Sequence, residues 1–349
     1  MIPTKSHLTR RNLLKSSAGA AAGLIAFPNI RRAHAADAIK ISLEFRIYGG
    51  NAPMFFAAEN GIFRDLGLDV VSDGSAGSGE SVTRVASGSH QFGLADASTV
   101  VEFAARNPGV APKVVMTVFD VFPAVIMSLS RKPIKSLKDL AGIKLGTGTA
   151  DAGSKIMPAL LALNNIDPAS FSRVTVDVKL RDTLLIKGDV DAVIAFDYTA
   201  IFNLIEAGIK LEDITLLYFR EFGFNFPGNA LIASPEMIEK NPDLVKRVAQ
   251  GVARAWVAAD RDRSAAIAAV AKRDKLLRSD TELARMSWVI DRLIKTPAIK
   301  QNGLGFLEED RLVQGLKVLG EGFKLPKPVS VGEIYDGRFL PPAADRKFS

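Results

Sequence analysis

Beyond residue 36 the chain alternates short apolar runs with stretches of helical spacing, and after a polar break it does so a second time. Strand-helix alternation of this kind selects an α/β architecture with mainly parallel sheets. In the first series IKISLEF, LDVVSD, QFGLAD and KVVMTVFD are the strands. Ala52 to Leu66 reads as a helix broken at Gly61, and Glu80 to Ser87 and Ser98 to Arg106 read as further helices. AVIMSL and the polar segment RKPIKSLKDLAG open the second series. Its strands are IKLGTG, VTVDVKL, DAVIAF and ITLLYF, with helices over Ala152 to Leu163, Arg181 to Lys187 and Thr199 to Ala207.

NALIASPEMI then leads into a helix from Pro242 to Asp260, with Val245, Val248, Ala249, Val252 and Trp256 on one face, and only helices and a short tail follow. Two α/β units followed by helices alone imply that the helical end packs back on the first unit. The chain then crosses between lobes twice, near 121–126 and 226–231, and a cleft between lobes is where a small ligand sits. The expected division is 36–124 plus 231–349 for one lobe and 125–230 for the other. Trp256 and Trp288 are expected to serve helix packing.

Of the formal net charge of +7, six charges lie in residues 1–35, which contain no acid, so the remainder carries only +1. A basic surface for nucleic acid is therefore not expected. The same segment reads TRRNLLKSSAGAAAGLIAFPNIRRAHA: paired arginines, a short weakly apolar core and Ala33-His34-Ala35 before the body. This resembles a twin-arginine export signal, cleaved near Ala36, and points to the periplasm. The apolar run is too short to span a bilayer. With no cysteine anywhere to carry a lipid, the mature chain is expected to lack a membrane anchor and to be a monomer.

Enzyme chemistry is short of parts. Past residue 35 the one histidine is His90, in a polar turn, and there is no thiol, so neither a nucleophilic triad nor His/Cys metal spacing can be assembled. Asp189 and Asp191 in GDVDA lack the other ligands of a calcium loop. The glycine-rich loop GSAGSGES (Gly74 to Ser81) sits between a strand and a helix like a phosphate loop, but Glu80 occupies the lysine position. GTGTADAG (Gly146 to Gly153) has G-x-G without the third glycine of a dinucleotide fingerprint. No catalytic residue, cofactor or metal is expected.

What remains is a set of loops at the carboxyl ends of strands, where open α/β sheets bind ligands. The first lobe offers Arg46, Tyr48 and Asn51, then Ser78, Gly79 and Ser81, then Asp96 and Ser98, then Asp120 and Phe122. The second offers Thr147 and Thr149, then Asp197 and Tyr198, with Asn225 near the return crossing. Amides at helix starts after Gly79 and Gly148 suit an oxygen acceptor, and Arg46 is the main candidate cation of the cleft.

The runs YGGNAPMFFAAENGIFRDLGLDV, GSAGSGESVTRVASGSHQFGLAD, IKSLKDLAGIKLGTGTADAGSKIMPALL, KGDVDAVIAF, GNALIASPEMIEKNPDLVKR and GRFLP, in this order, resemble the NMT1/THI5-like substrate-binding proteins of the nitrate/taurine type. The resemblance implies a bilobal periplasmic-binding fold of type II that closes on a small molecule and delivers it to an ABC permease with a cytoplasmic ATPase. By position Tyr48, Asn51, Gly77 to Ser81, Asp96 to Ser98 and Thr147 to Thr149 match the ligand loops of that family. The ligand is expected to be a polar heteroaromatic, pyrimidine- or flavin-like, or else a small organic anion such as a sulfonate or aromatic carboxylate. The alternative reading is a ligand sensor presenting its closed form to a receptor kinase, and a thiamine-pyrimidine-synthase-like enzyme is disfavoured by the missing cysteine and histidine.

Overall fold

The computed structural model describes residues 36–148 and 151–348. The expected export signal (1–35) and Thr149 thus lie outside the described residues. From Ala36 onward the chain is one compact unit.

Its first half runs β1 (Asp37–Ser42), α1 (Ala52–Glu59), β2 (Leu68–Asp73), α2 (Ser78–Ala86), β3 (Phe92–Asp96), α3 (Ala97–Arg106) and β4 (Lys113–Thr117). The second runs β5 (Ala124–Leu129), β6 (Lys144–Thr147), α4 (Ala152–Leu163), β7 (Ser172–Thr175), α5 (Val178–Lys187), β8 (Ala192–Phe196), α6 (Asp197–Glu206) and β9 (Ile214–Tyr218). β10 (Asn229–Ala233), α7 (Pro235–Lys240), α8 (Pro242–Arg261), α9 (Arg263–Ala271), α10 (Ser279–Trp288), α11 (Pro297–Asn302) and α12 (Glu309–Gly322) complete the core of the molecule.

These elements make two mixed five-stranded sheets, ordered β2-β1-β3-β10-β4 and β7-β6-β8-β5-β9. Within each, four strands run in one direction, and the strand that arrives from the other half is inserted antiparallel between the third and fourth of them. Central strands such as FGLAD are buried along their whole length, as helices on both faces of a sheet require. The expected helix over 52–66 divides where Gly61 takes a φ of +78°, a conformation that favours a residue without Cβ.

The crossings are 118–123 and 219–228, and they are laced together. The amides of Val118 and Phe119 both donate to the Asn229 carbonyl at 2.8 Å, and Gly228 N–H donates to the Phe119 carbonyl at 3.0 Å. A Cβ on Gly228 would lie 2.8 Å from the Val121 carbonyl oxygen, so the approach of the two strands depends on glycine there. Each lobe also hangs a helix start on this junction: Ala97 N–H, opening α3, donates to the Gly228 carbonyl, and Asp197 N–H, opening α6, donates to that of Pro123, both at 3.0 Å.

The helical end only partly follows expectation. α8 and α9 cover α1 of the first half, with Trp256 fully buried among them. α12, however, packs on α4 of the second half, and α10 reaches α6. An amphipathic pattern specifies that a face is covered but not by which partner, and here the helices cover both halves.

Candidate ligand-binding site

Between the sheets lies a cavity of about 310 Å³, lined from the first half by Glu44, Phe45, Ala76 to Glu80, Asp96 and Thr99, and from the second by Asp151, Ala152, Val178, Arg181, Ala195, Phe196, Tyr198 and Thr199. Such a volume lies at the small end of the range for small-molecule sites.

Glu44 follows the end of β1. Its Oε1 accepts from Tyr48 Oη at 2.8 Å and from Asn51 Nδ2 at 3.5 Å, while Asn51 Nδ2 also donates to the Arg46 carbonyl at 3.0 Å. Tyr48 and Asn51 are themselves buried. They lie outside the cavity lining and hold the carboxyl that faces it. Asp96 caps α3: its Oδ1 accepts from the Ser98 amide at 3.0 Å and from the Ser98 hydroxyl. Asp96 N–H in turn donates to Ser78 Oγ at 2.9 Å, which binds the glycine-rich loop to the end of β3. Glu44 Oε2 and Asp96 Oδ2 are buried and have no hydrogen-bond partner among the described residues. Burial raises the Glu44 carboxyl above its ordinary value and pushes that of Asp96 up to about 6.

The loop GSAGSGES contributes Ala76 to Glu80 to this wall. Glu80 Oε2 accepts from the Ala76 amide at 2.6 Å and Oε1 pairs with Arg84 at 2.6 Å; the Ala76 bond, ahead of Arg84, holds its carboxyl below the usual range. The amides of Ser78 and Gly79 open α2, where no carbonyl of the same helix can reach them.

The second half presents a different surface. Phe196 and Tyr198 stack with ring centroids 6.1 Å apart, and Tyr198 stacks in turn on Tyr48 at 6.2 Å. Val178 and Ala195 extend this apolar face. Two charges stand in it. Asp151 caps α4, accepting from the Ser154 amide at 2.7 Å, and burial raises its carboxyl. Arg181, 5% exposed, donates through Nε to Asp182 at 2.9 Å, and Asn203 Nδ2 holds the other oxygen of Asp182. The cavity therefore gathers four carboxyl groups and one guanidinium.

Of the expected site residues, Ser78, Gly79, Asp96 and Tyr198 line the cavity. Arg46 lies in a neighbouring outer pocket. Ser81 is buried and donates to the Ser42 carbonyl, and Ser98 serves Asp96. Thr147 closes the β6–β7 ladder through its carbonyl. Phe122 is fully buried against Phe196, Phe219 and Phe224, and Asn225 is exposed on the return crossing. Asp120 belongs to the crossing: it pairs with Arg311 at 2.7 Å, accepts from Thr296, and donates its amide to the Leu293 carbonyl. Asp197 is a tether between halves, with one oxygen accepting from Trp288 Nε1 at 2.9 Å and Tyr218 Oη at 3.0 Å. Beside it Arg285, paired with Glu282, donates to the carbonyls of Tyr198 and Thr199.

Sequence reasoning passed over Glu44, Asp151, Arg181, Phe196 and the two threonines. Thr99 and Thr199 each stand third in the helix that follows the strand third in the sheet order of their half, β3 and β8, and that repeat is the signal by which they could be found. Among the described residues no cluster of metal-ligating side chains occurs, and no helix is long and apolar enough to cross a membrane.

Residues 50–266 match the family described as NMT1/THI5 like. Over 200 residues the chain is 28% identical to the riboflavin-binding protein RibY of Chloroflexus aurantiacus, covering 56% of this chain and 55% of that protein, so it spans about half the length of that curated relative. The periplasmic aliphatic sulphonate binding protein SsuA of Escherichia coli superposes with a TM-score of 0.68 at 17% identity, over 86% of this chain and 92% of its own. A Candida albicans protein described as having the generic periplasmic binding protein fold gives 0.59 at 13% identity, over 89% and 97%. At these identities the structural likenesses establish the bilobal periplasmic-binding-protein fold.

Proposed function

The chain belongs to the NMT1/THI5-like family, and from that premise we propose that it is a periplasmic solute-binding protein that captures a polar heteroaromatic nutrient of flavin- or pyrimidine-like chemistry for an ABC permease and its ATPase. Export removes residues 1–35, and the two lobes are 36–124 with 231–349 and 125–230, with α12 and α10 of the helical end lying against α4 and α6 of the second lobe. Ligand bridging the lobes favours the closed form that the permease recognises.

One observation carries the choice of ligand: Glu44 and Asp96, both buried, each keep a carboxyl oxygen without a partner among the described residues at the cavity wall. A buried acceptor left unpaired costs about 1–3 kcal/mol, which a ring N–H, amino or hydroxyl donor recovers. The aromatic face of Phe196 and Tyr198 suits a flat ring, and Arg181 can meet a ring carbonyl. A sulfonate would face four carboxyl groups with one guanidinium in its favour. The partial similarity to a riboflavin-binding protein supports the same ligand class.

The test is calorimetric titration and thermal shift of the purified chain with riboflavin, aminopyrimidines and alkanesulfonates, since a ligand of the native state raises its apparent stability. Heteroaromatics are expected to bind and alkanesulfonates not to. Tight binding of an alkanesulfonate that Arg181→Ala abolishes would replace this ligand class with the organic anion.

A further inference from the structure

Outside the loop Gly74 to Ser81 lies a second pocket of about 460 Å³, lined by Arg46, Arg84 and Arg273 together with Glu80 and Asp274. It shares Ala76 and Glu80 with the inner cavity, so the glycine-rich loop borders both, and a ligand extending past Ala76 and Glu80 reaches from one to the other. That loop is held close to the chain segment beneath it: Ser75 N–H donates to the Phe45 carbonyl at 3.0 Å, and a Cβ on Gly74 would stand 3.5 Å from Arg46 Cα.

The two compartments differ in charge. Glu80 is neutralised by Arg84, whereas Arg46 and Arg273 have no carboxylate partner among the described residues. Their guanidinium groups lie over Phe45 and Phe55, at 5.9 and 5.8 Å from the ring centroids. Phe45 lines the inner cavity, so the Arg46 guanidinium of the outer pocket lies over a ring of the inner one. The inner cavity is acidic with one guanidinium, and the outer pocket presents three guanidinium groups against two carboxylates.

We infer that the outer pocket takes an anionic tail, and that the ligand class is a phosphomonoester of a heteroaromatic whose ring occupies the inner cavity. This rests on the reading of the inner cavity given above. A phosphomonoester carries about −1.5 to −2 charge at neutral pH and three acceptor oxygens, and guanidinium groups match phosphate in geometry as well as charge. The inner cavity would repel such a group, so the ligand can enter in one orientation only.

Flavin mononucleotide and riboflavin, which differ only in that phosphate, are the probes, titrated at low and at 0.5 M salt. The mononucleotide is expected to bind on the order of tenfold more tightly at low salt, with the preference shrinking at high salt as screening sets in. Arg46→Ala/Arg273→Ala should abolish the preference and leave riboflavin affinity within about twofold. Both side chains are exposed, and an Arg46→Gln/Arg273→Gln pair serves if the alanines disturb folding. Equal affinity for the two flavins, or a preference that survives both double variants, overturns the phosphate pocket while the heteroaromatic cavity stands. Failure of both flavins to bind overturns the phosphate pocket, and failure of the aminopyrimidines as well overturns the heteroaromatic cavity with it.

Discussion

The two halves are built on one plan and face each other with different chemistry. Their strand orders correspond one for one, each has a visiting strand in the same place, and each places a threonine at the third position of the same helix. Yet at the end of the third strand one half has Asp96 where the other has Phe196, and two residues later Ser98 answers Tyr198. The first half thus presents buried acceptors and the second a flat apolar face. On a repeated frame a few positions decide whether a lobe reads polar groups or supplies a stacking surface, which gives a closing pair one wall for identity and one for area.

The sharpest way to break this contrast is on the polar wall. Glu44→Gln keeps the shape of the side chain and its bonds to Tyr48 and Asn51 while removing the charge, and it is expected to weaken ligand binding by on the order of 100-fold in titration calorimetry, with the fold intact by circular dichroism. Loss of a charged acceptor to a desolvated donor costs about 1.5–3 kcal/mol; unchanged affinity would take ligand recognition away from this wall.

Removing the stacking surface should cost less. Phe196→Ala is expected to reduce affinity about tenfold, in line with roughly 0.5–1.5 kcal/mol for aromatic pairing beyond the area lost. If it costs more than Glu44→Gln, the roles of the two walls are reversed.

A third measurement uses acid. In the fold Asp96 titrates near 6, above its ordinary 3.8, because burial penalises the charged form. Between about pH 4 and 6 the folded state therefore holds more protons than the unfolded one, and this residue's contribution to stability falls as pH rises through that window and levels off above it. Asp96→Asn removes the effect: the variant should gain in melting temperature on the wild type from pH 4 to 6.5 and run parallel above. Ligand affinity of the wild type should fall on acidification below 6, as the acceptor becomes protonated. A pH-independent gap between the two proteins would show that the Asp96 carboxyl is not the titrating group.

The smallest effect belongs to Glu80, on the same wall but committed to the Ala76 amide and Arg84. Glu80→Gln should change riboflavin affinity by less than about twofold, and a larger loss would make it a third reader of polar groups.

Much of the frame is legible in the sequence because period carries it. LDVVSD and AVIMSL are strands over the residues that alternation predicts, and the helix from Ala152 is found with both its ends. The cleft between two crossings and the part taken in it by GSAGSGES follow from the order of elements. The polar wall is harder to read, because Glu44 sits between Leu43 and Phe45 in a run that looks like strand, whereas β1 ends at Ser42 and the following residues turn inward. Arg181 lies in a helix, VKLRDTLLIK, whose charged residues give its burial no periodic signature. Tyr48 and Asn51 stand out in sequence as ligand-loop residues, and the structure assigns them a bond to the carboxyl that faces the cavity. Arg46 is a cation at the right strand end on the wrong side of the loop. In each case the missing information is direction, which local pattern does not encode.

The junction where Ala97 and Asp197 donate to the two crossing strands has a practical side. Because the first turn of one helix in each lobe, α3 and α6, is fastened to the carbonyl of a connecting segment, a change in lobe angle must be felt in that connection. Asn225 lies on one of those connections, exposed and away from the cavity lining. With no native cysteine in the chain, a single thiol placed there by Asn225→Cys would take an environment-sensitive dye at one position, turning the receptor into a reagentless optical sensor for its own ligand.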